Sequence, residues 1–200
     1  NFTKEATQKA RMESIEERMD IIMKNNPSIL DRRKEKIITI DSETTSDYDD
    51  AISYVENETI KRVSVYISNV PIWMEELGLW KSFSERVSTI YLPDRKRPMM
   101  PTILSENLCS LRAKEEKIAF VMDIFLNKEN YIIEKIQYEN VRIKVRKNHV
   151  YDSEELKKDN MYQQIAHCVK KMHDNHKYTK VINTSTDVVS YLMILMNHMT

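Results

Sequence analysis

Four aspartates, Asp41, Asp47, Asp49 and Asp50, fall within one short stretch, and apolar runs of strand type close on them from both sides, Lys36 to Ile40 before and Ala51 to Val55 after. A solvated acidic loop usually alternates with Gly, Pro or Lys. This one is fastened at both ends to segments that read as buried, so its carboxylates are held near one another at a sheet. Two like charges about 4 Å apart repel by roughly 1 kcal/mol in water and roughly 4 kcal/mol at an effective dielectric of 20. Either some of the four are protonated or a cation sits among them. Aspartate oxygens with no His or thiolate nearby suit a hard ion, Mg²⁺ or, in its place, Mn²⁺. The calcium loop of the EF-hand kind fits poorly: counted from Asp47, its fifth and sixth positions are Ala51 and Ile52, where that loop wants an oxygen ligand and a Gly. From composition and spacing alone, a divalent-metal site stands against a solvated acidic turn.

Composition narrows the classes. Two hundred residues allow one ordinary domain with a sizeable core. Lys plus Arg equals Asp plus Glu, 31 each, so a nucleic-acid partner has to be held by a local patch or a bound metal, not by a global field. Two cysteines argue against a disulfide scaffold and for a reducing, intracellular compartment, most simply the cytoplasm. There is no run of 18 apolar residues and so no membrane span. The absence of a leader and of an initiator Met reads as a fragment. A single glycine, Gly78, excludes a Gly-rich phosphate cradle.

In chain order, Met12, Ile15, Met19 and Ile22 recur at helical spacing and predict a helix over residues 1–24, ended by Asn25-Asn26-Pro27. Strands are predicted at 36–40, from Ala51 and over Val63 to Ile67, the last by clean alternation. Trp73, Leu77 and Trp80 read as core. Between 84 and 120, Pro93, Pro98 and Pro101 exclude a helix interior or central strand and predict a shaped loop. It carries Arg95, Lys96 and Arg97 beside Tyr91, able to hold a phosphate backbone and stack a base, or simply to form a solvated basic turn. Cys109 reads as a packed thiol. Strands follow at 119–125 and 131–145. In the latter, Val141, Ile143 and Val145 alternate with Arg142, Lys144 and Arg146, a basic stripe that either tracks a nucleic-acid backbone or forms a solvated face. A helix is predicted from Asp152, with Glu155 completing a capping-box-like pair. His167, Cys168, His173 and His176 make a poor zinc set, because His167 and His173 point to different helix faces. The last helix, from about Thr186, leaves Val189, Leu192, Met193 and Met196 in need of a partner surface.

These residues carry a resemblance. Thr39-Ile40-Asp41, then Asp47-Tyr48-Asp49-Asp50-Ala51-Ile52, resembles the signature of the RNase II / RNase R (RNB) exoribonuclease family. So do Tyr91-Leu92-Pro93, Pro98-Met99-Met100-Pro101, and Leu104-Ser105-Glu106-Asn107-Leu108-Cys109-Ser110-Leu111, in the family's order. Asp31-Arg32-Arg33 and Met193-Ile194-Leu195-Met196-Asn197 resemble flanking family segments, so the match runs from about 31 to 200. The resemblance implies a 3′-to-5′ hydrolase of single-stranded RNA that releases nucleoside monophosphates. By motif position, Asp41, Asp47, Asp49 and Asp50 hold Mg²⁺, with Asp49 and Asp50 at the chemistry. Two such ions turn a cluster that repels a phosphodiester into a clamp on it. Tyr91 matches a tyrosine that packs on a base near the 3′ end, and Arg112 follows Cys-Ser-Leu as in bacterial members, near substrate with Arg95.

The expected architecture is mixed α/β, a curved mixed sheet covered by helices. A helical lead-in occupies 1–28, and 29–200 form the N-terminal portion of an RNB-type domain, incomplete at its C-terminus. Its partners are single-stranded RNA, the remainder of that domain and flanking OB-type domains, with no membrane. Where many members have His-Ile-Ala-Asp-Val, this chain has Tyr66-Ile67-Ser68-Asn69-Val70, which bears on the fine tuning of the site. The alternative is a degenerate, non-catalytic RNA-binding or assembly subunit.

Overall fold

The computed structural model describes residues 2–12, 14–83, 90–91, 96–97, 100–175 and 181–200, the pairs 90–91 and 96–97 by their backbone alone. In place of one N-terminal helix there are two, α1 (Phe2–Ala10) and α2 (Ile15–Asn25). Ser14 divides them. Its hydroxyl accepts from Glu17 N while the Glu17 carboxylate accepts from Ser14 N, a capping box that starts a new helix. Met12, counted in the predicted stripe, is 71% exposed. Asn26 closes α2 by donating its backbone N–H to Ile22 O.

The strands are β1 (Leu30–Asp31), β2 (Ile37–Asp41), β3 (Asp50–Glu56), β4 (Lys61–Ser68), β5 (Ile90–Tyr91), β6 (Lys96–Arg97), β7 (Glu116–Leu126), β8 (Ile133–Lys144) and β9 (Lys147–Val150). Among the described residues, seven of them form one open sheet in the order β1-β8-β7-β4-β3-β2-β9, while β5 and β6 pair separately. The outer pairs β1–β8 and β2–β9 are parallel and the inner ones antiparallel. The mixed α/β expectation therefore holds.

Helix α3 (Val70–Glu76) follows β4, a π-helical segment (Ile103–Cys109) precedes β7, and α4 (Glu154–Lys157), α5 (Asn160–Asn175) and α6 (Ser185–Met199) close the chain. The cap before α4 is Ser153, whose hydroxyl accepts from Leu156 N. Asp152 instead accepts from Ser185 N at the start of α6. The apolar face of α6, for which the sequence offers no evident partner, packs with α5 on the sheet: Val189, Leu192 and Leu195 join Ile165 and Val169 over Ile38, Ile40, Ile52 and Val65. Each such side chain contributes about 1.5–3 kcal/mol on burial. The opposite face carries Ile37, Ala51, Tyr66, Val121, Val141, Ile143 and Val145. A third cluster joins α1 and α2 to Trp73, Met74, Leu104, Leu108 and Cys109. Trp73 and Leu77 are core as expected, but Trp80 is 47% exposed, its ring edge-on to Phe83.

Candidate active site

Strand pairing sets where the carboxylates stand. β2 runs beside β9 with Ile40 opposite His149 and Asp41 opposite Val150, and Tyr151 N donates to Asp41 O at 2.9 Å. On the other side β3 begins at Asp50, opposite Ile67 of β4, and Ser68 N donates to Asp49 O at 2.9 Å. The end of one strand and the start of its neighbour thus deliver Asp41 and Asp50 to the same end of the sheet, one and two strands in from its β9 edge.

The loop between them is stapled to the segment after the π-helical turn. Tyr48 N donates to Ser110 Oγ at 3.0 Å, Leu111 N donates to Tyr48 O at 2.8 Å, and the Arg112 guanidinium reaches Ser46 O at 3.3 Å. That segment is itself anchored. Asn148 of β9 donates to Thr39 Oγ1 and Leu111 O and accepts from Ala113 N, all within 3.0 Å. Lys117, fully buried, donates its ammonium to the carbonyls of Asn107 and Leu108, which the end of the π-helical segment leaves open, and pairs with Glu115 at 2.9 Å. A charge is kept in the core here because it satisfies carbonyls that hold Cys109, Ser110 and Leu111 in place.

The electrostatics are those of acids without compensation. Burial, and then the neighbouring charges of Asp41 and Asp49, push Asp50 up to about 7. Burial likewise pushes Asp41 to about 6, with Asp49 adding to the rise and the Thr39 hydroxyl opposing it. Asp41 Oδ2 is buried with no hydrogen-bond partner among the described residues. Tyr151, half-buried, is raised by burial and then by Asp50 and Asp41, so its hydroxyl lies within their field. Asp49 is exposed. Asp47, half-buried, acts on a different neighbour: burial, against Lys117 and with Asp47 and Asp49 adding, lifts the Cys109 thiol to about 12.

Of the residues expected at the site, Asp49 therefore acts on Asp41, and both act on Asp50, while Asp47 together with Asp49 acts on Cys109. Among the described residues no three carboxylate, imidazole or thiolate side chains gather as a ready-made ion cage. Mg²⁺ does not need one. It is commonly held by one or two carboxylates and keeps several waters or substrate phosphates as its other ligands. Two coupled acids with an unpartnered buried oxygen suit such an ion, and a cation would relieve the penalty that raises them. Arg112 is half-buried and lines a cleft of about 500 Å³ with Thr7, Arg11, Thr102, Glu106 and Asn107. Tyr91 is described by its backbone, opposite Lys96 in the β5–β6 pair, and Arg95 lies outside the described residues. His167 meets the Tyr131 hydroxyl at 3.2 Å and His173 packs edge-on against Tyr191, while His176 lies outside the described residues.

Asn69, which replaces an acidic residue of the resembled motif, has a local function. Its Oδ1 accepts from Ile72 N as the cap of α3, and its amide donates to Asn140 Oδ1 at 2.8 Å. Sequence reasoning overlooked Ser110, Asn148 and Tyr151. Ser110 sits in a quoted motif, yet only the fold shows its hydroxyl under the acidic loop. The other two lie about a hundred positions away, with no local signal.

The family model for the RNB domain matches residues 30–187, and the chain belongs to that family. Ribonuclease R of Mycoplasmopsis pulmonis is 34% identical over 122 residues, covering 60% of this chain and 17% of that protein, so the chain spans about a sixth of the relative's length. Among solved structures, Mycoplasma genitalium RNase R in complex with double-stranded RNA shares the fold with a TM-score of 0.66, at 18% identity, over 86% of this chain and 37% of that one. So does yeast Ssd1, a pseudonuclease, with a TM-score of 0.63 at 12% identity over 76% of this chain and 20% of that one.

Proposed function

We propose that residues 29–200 belong to the catalytic domain of a metal-dependent 3′-to-5′ exoribonuclease, with 1–28 as a helical lead-in, and that it hydrolyses single-stranded RNA to nucleoside 5′-monophosphates. The observation that carries this reading is the pair Asp41 and Asp50, delivered to one end of the sheet and raised first by burial and then by neighbouring carboxylates, Asp49 acting on Asp41 and both Asp41 and Asp49 acting on Asp50. Asp41 and Asp50, with Asp49 and Asp47 on the connecting loop, would hold Mg²⁺, or Mn²⁺ in its place. Such ions supply charge neutralisation at the scissile phosphate and an activated water when bound. The chain's own residues do the positioning. Ser110 and Leu111 fix the backbone of Tyr48 and so the direction of the aspartates on either side. Asn148 ties that segment to β2. Arg112, lining the cleft beside the loop, offers a fixed cation to an incoming phosphate. Tyr91 would stack on a base, which contributes about 1–3 kcal/mol without demanding a sequence.

The second reading is a family member that binds RNA without cutting it. Its support is that this fold also occurs in a protein described as a pseudonuclease. One experiment separates the two. The full-length protein is incubated with a 3′-accessible oligo(A) in Mg²⁺ and in EDTA, beside Asp49→Asn. Laddering to monophosphates that EDTA and the substitution both abolish is expected. Binding without degradation in every lane would replace the first reading by the second.

A further inference from the structure

The basic stripe predicted on β8 divides in the fold. Arg142 is spent on Glu116 at 2.8 Å and Asp20 at 3.1 Å, whereas Lys144 and Arg146 point to solvent. They join Arg33, Lys34, Lys36 and Lys114 around a cleft of about 510 Å³. Three separate segments converge there: the connection from β1 to β2, the turn before β7, and the end of β8.

Charge in this cleft is not cancelled from within. Its one carboxylate, Glu35, is occupied by Arg62 at 2.7 Å and by the Tyr66 hydroxyl at 3.1 Å. Arg33 pairs with Asp31 and Glu116, and Lys36 with Asp159. Lys34, Lys114, Lys144 and Arg146 are exposed and make no ion pair or side-chain hydrogen bond among the described residues. Four such cations on one wall are unusual in a chain whose formal net charge is zero. The backbone fixes two of them. Lys114 sits at φ 69°, a left-handed conformation that few residues other than glycine adopt, and its N–H donates to Val145 O at 2.7 Å. Arg146 N donates to Ile37 O at 2.8 Å. The cleft opens beside the start of β2. The carboxylates lie at that strand's other end, about 13 Å away by strand rise.

We propose that this cleft is a second anion site that holds the sugar-phosphate backbone of an RNA strand, remote from the acidic cluster. The identity of the polyanion rests on the function proposed above. Lys144 ends β8 and Arg146 follows two residues on, before β9, so their Cα atoms are at most about 7 Å apart, which is of the order of the distance between successive phosphates on an extended single strand. Among the described residues no aromatic side chain lines the cleft, so it contacts backbone and does not stack bases.

The test is binding of a fluorescent single-stranded RNA by the full-length protein in EDTA, where cleavage plays no part, across roughly 50 to 200 mM salt. Lys144→Ala/Arg146→Ala is expected to weaken binding about tenfold and to flatten the log–log salt slope by about 1.4, that is about 0.7 for each lost contact. The control Lys170→Ala/Lys171→Ala, removing the same charge from exposed positions on α5, is expected to leave both unchanged. Unchanged affinity and slope in the first variant, or equal losses in the two, would overturn the proposal. So would a poly-glutamate peptide displacing the RNA from wild type but not from the first variant while RNA affinity is the same in both, an outcome that assigns the cleft to an acidic protein. Each of these results leaves the hydrolysis experiment untouched, so the two claims fail separately.

Discussion

Two groups of acids on one sheet, one buried and one half-buried, are treated in opposite ways. Asp123, in the middle of β7, is 2% exposed, and burial alone would raise it. Its bidentate pair with Arg32, the Ser64 hydroxyl at 2.6 Å and the charge of Arg62 outweigh that, and its carboxyl is held below the ordinary value. Asp41 and Asp50, at the end of β2 and the start of β3, have no such cations among their influences and are raised to about 6 and about 7. The same fold that spends two arginines on one carboxylate spends none on two others. The difference separates a compensated charge network from a cluster that the chain's own cations leave uncompensated among the described residues.

The largest expected effect comes from breaking the compensated network. Asp123→Ala takes the bidentate partner from Arg32 and leaves it and Arg62 with Glu35 alone between them among the described residues, and it should cost about 3–5 kcal/mol in urea unfolding. A loss below about 1 kcal/mol would mean that the network relaxes and that the contrast is weaker than the geometry implies.

The pH dependence should run in opposite senses at the two places. Asp123, lowered in the fold, adds stability above its unfolded value near 3.8 that is lost as pH falls through the folded value. Asp41 and Asp50, raised in the fold, favour the native state fully below about 3.8, and that contribution is lost as pH rises to about 6 and about 7. In EDTA, Asp50→Asn should therefore gain on wild type by roughly 2 kcal/mol between about pH 5 and pH 8. Parallel stability curves for the two proteins would refute the raised acid.

A smaller effect tests the staple. Ser110→Ala removes the acceptor for Tyr48 N and should cost about 1–2 kcal/mol. It should also loosen the acidic loop, read as faster amide exchange at Tyr48 and Asp49, while exchange at Asp123 stays slow. Equal acceleration at both places would mean that Ser110 supports the fold as a whole.

The sheet was legible in the sequence wherever alternation was strong, as in β4 and the end of β8, and the acidic loop announced itself because buried strands flank it. Other features were not legible because distance in sequence hides them. Lys117 reads as an ordinary charge at a strand start, yet only tertiary packing brings the Asn107 and Leu108 carbonyls to its ammonium. The break at Ser14 was masked by apolar periodicity that runs through Met12 and Ile15, although the Ser14–Glu17 capping pair was present to be read. Asn69 drew notice as a departure from a motif. Its hydrogen bonds to Ile72 and Asn140 show that the amide caps a helix and ties β4's end to β8.

The most direct measurement is thermal unfolding at about pH 7.5 with and without Mg²⁺, wild type beside Asp50→Asn. At about tenfold excess over its Kd, an ion bound only by the native state contributes about 1.4 kcal/mol. That corresponds to a rise in Tm of roughly 3–6 °C for a chain of this size. The account predicts that rise in wild type and its loss in Asp50→Asn, together with a higher Tm for the variant in EDTA. An equal Mg²⁺ response in both proteins, or none in wild type, would contradict the claim that the uncompensated aspartates are kept for a cation.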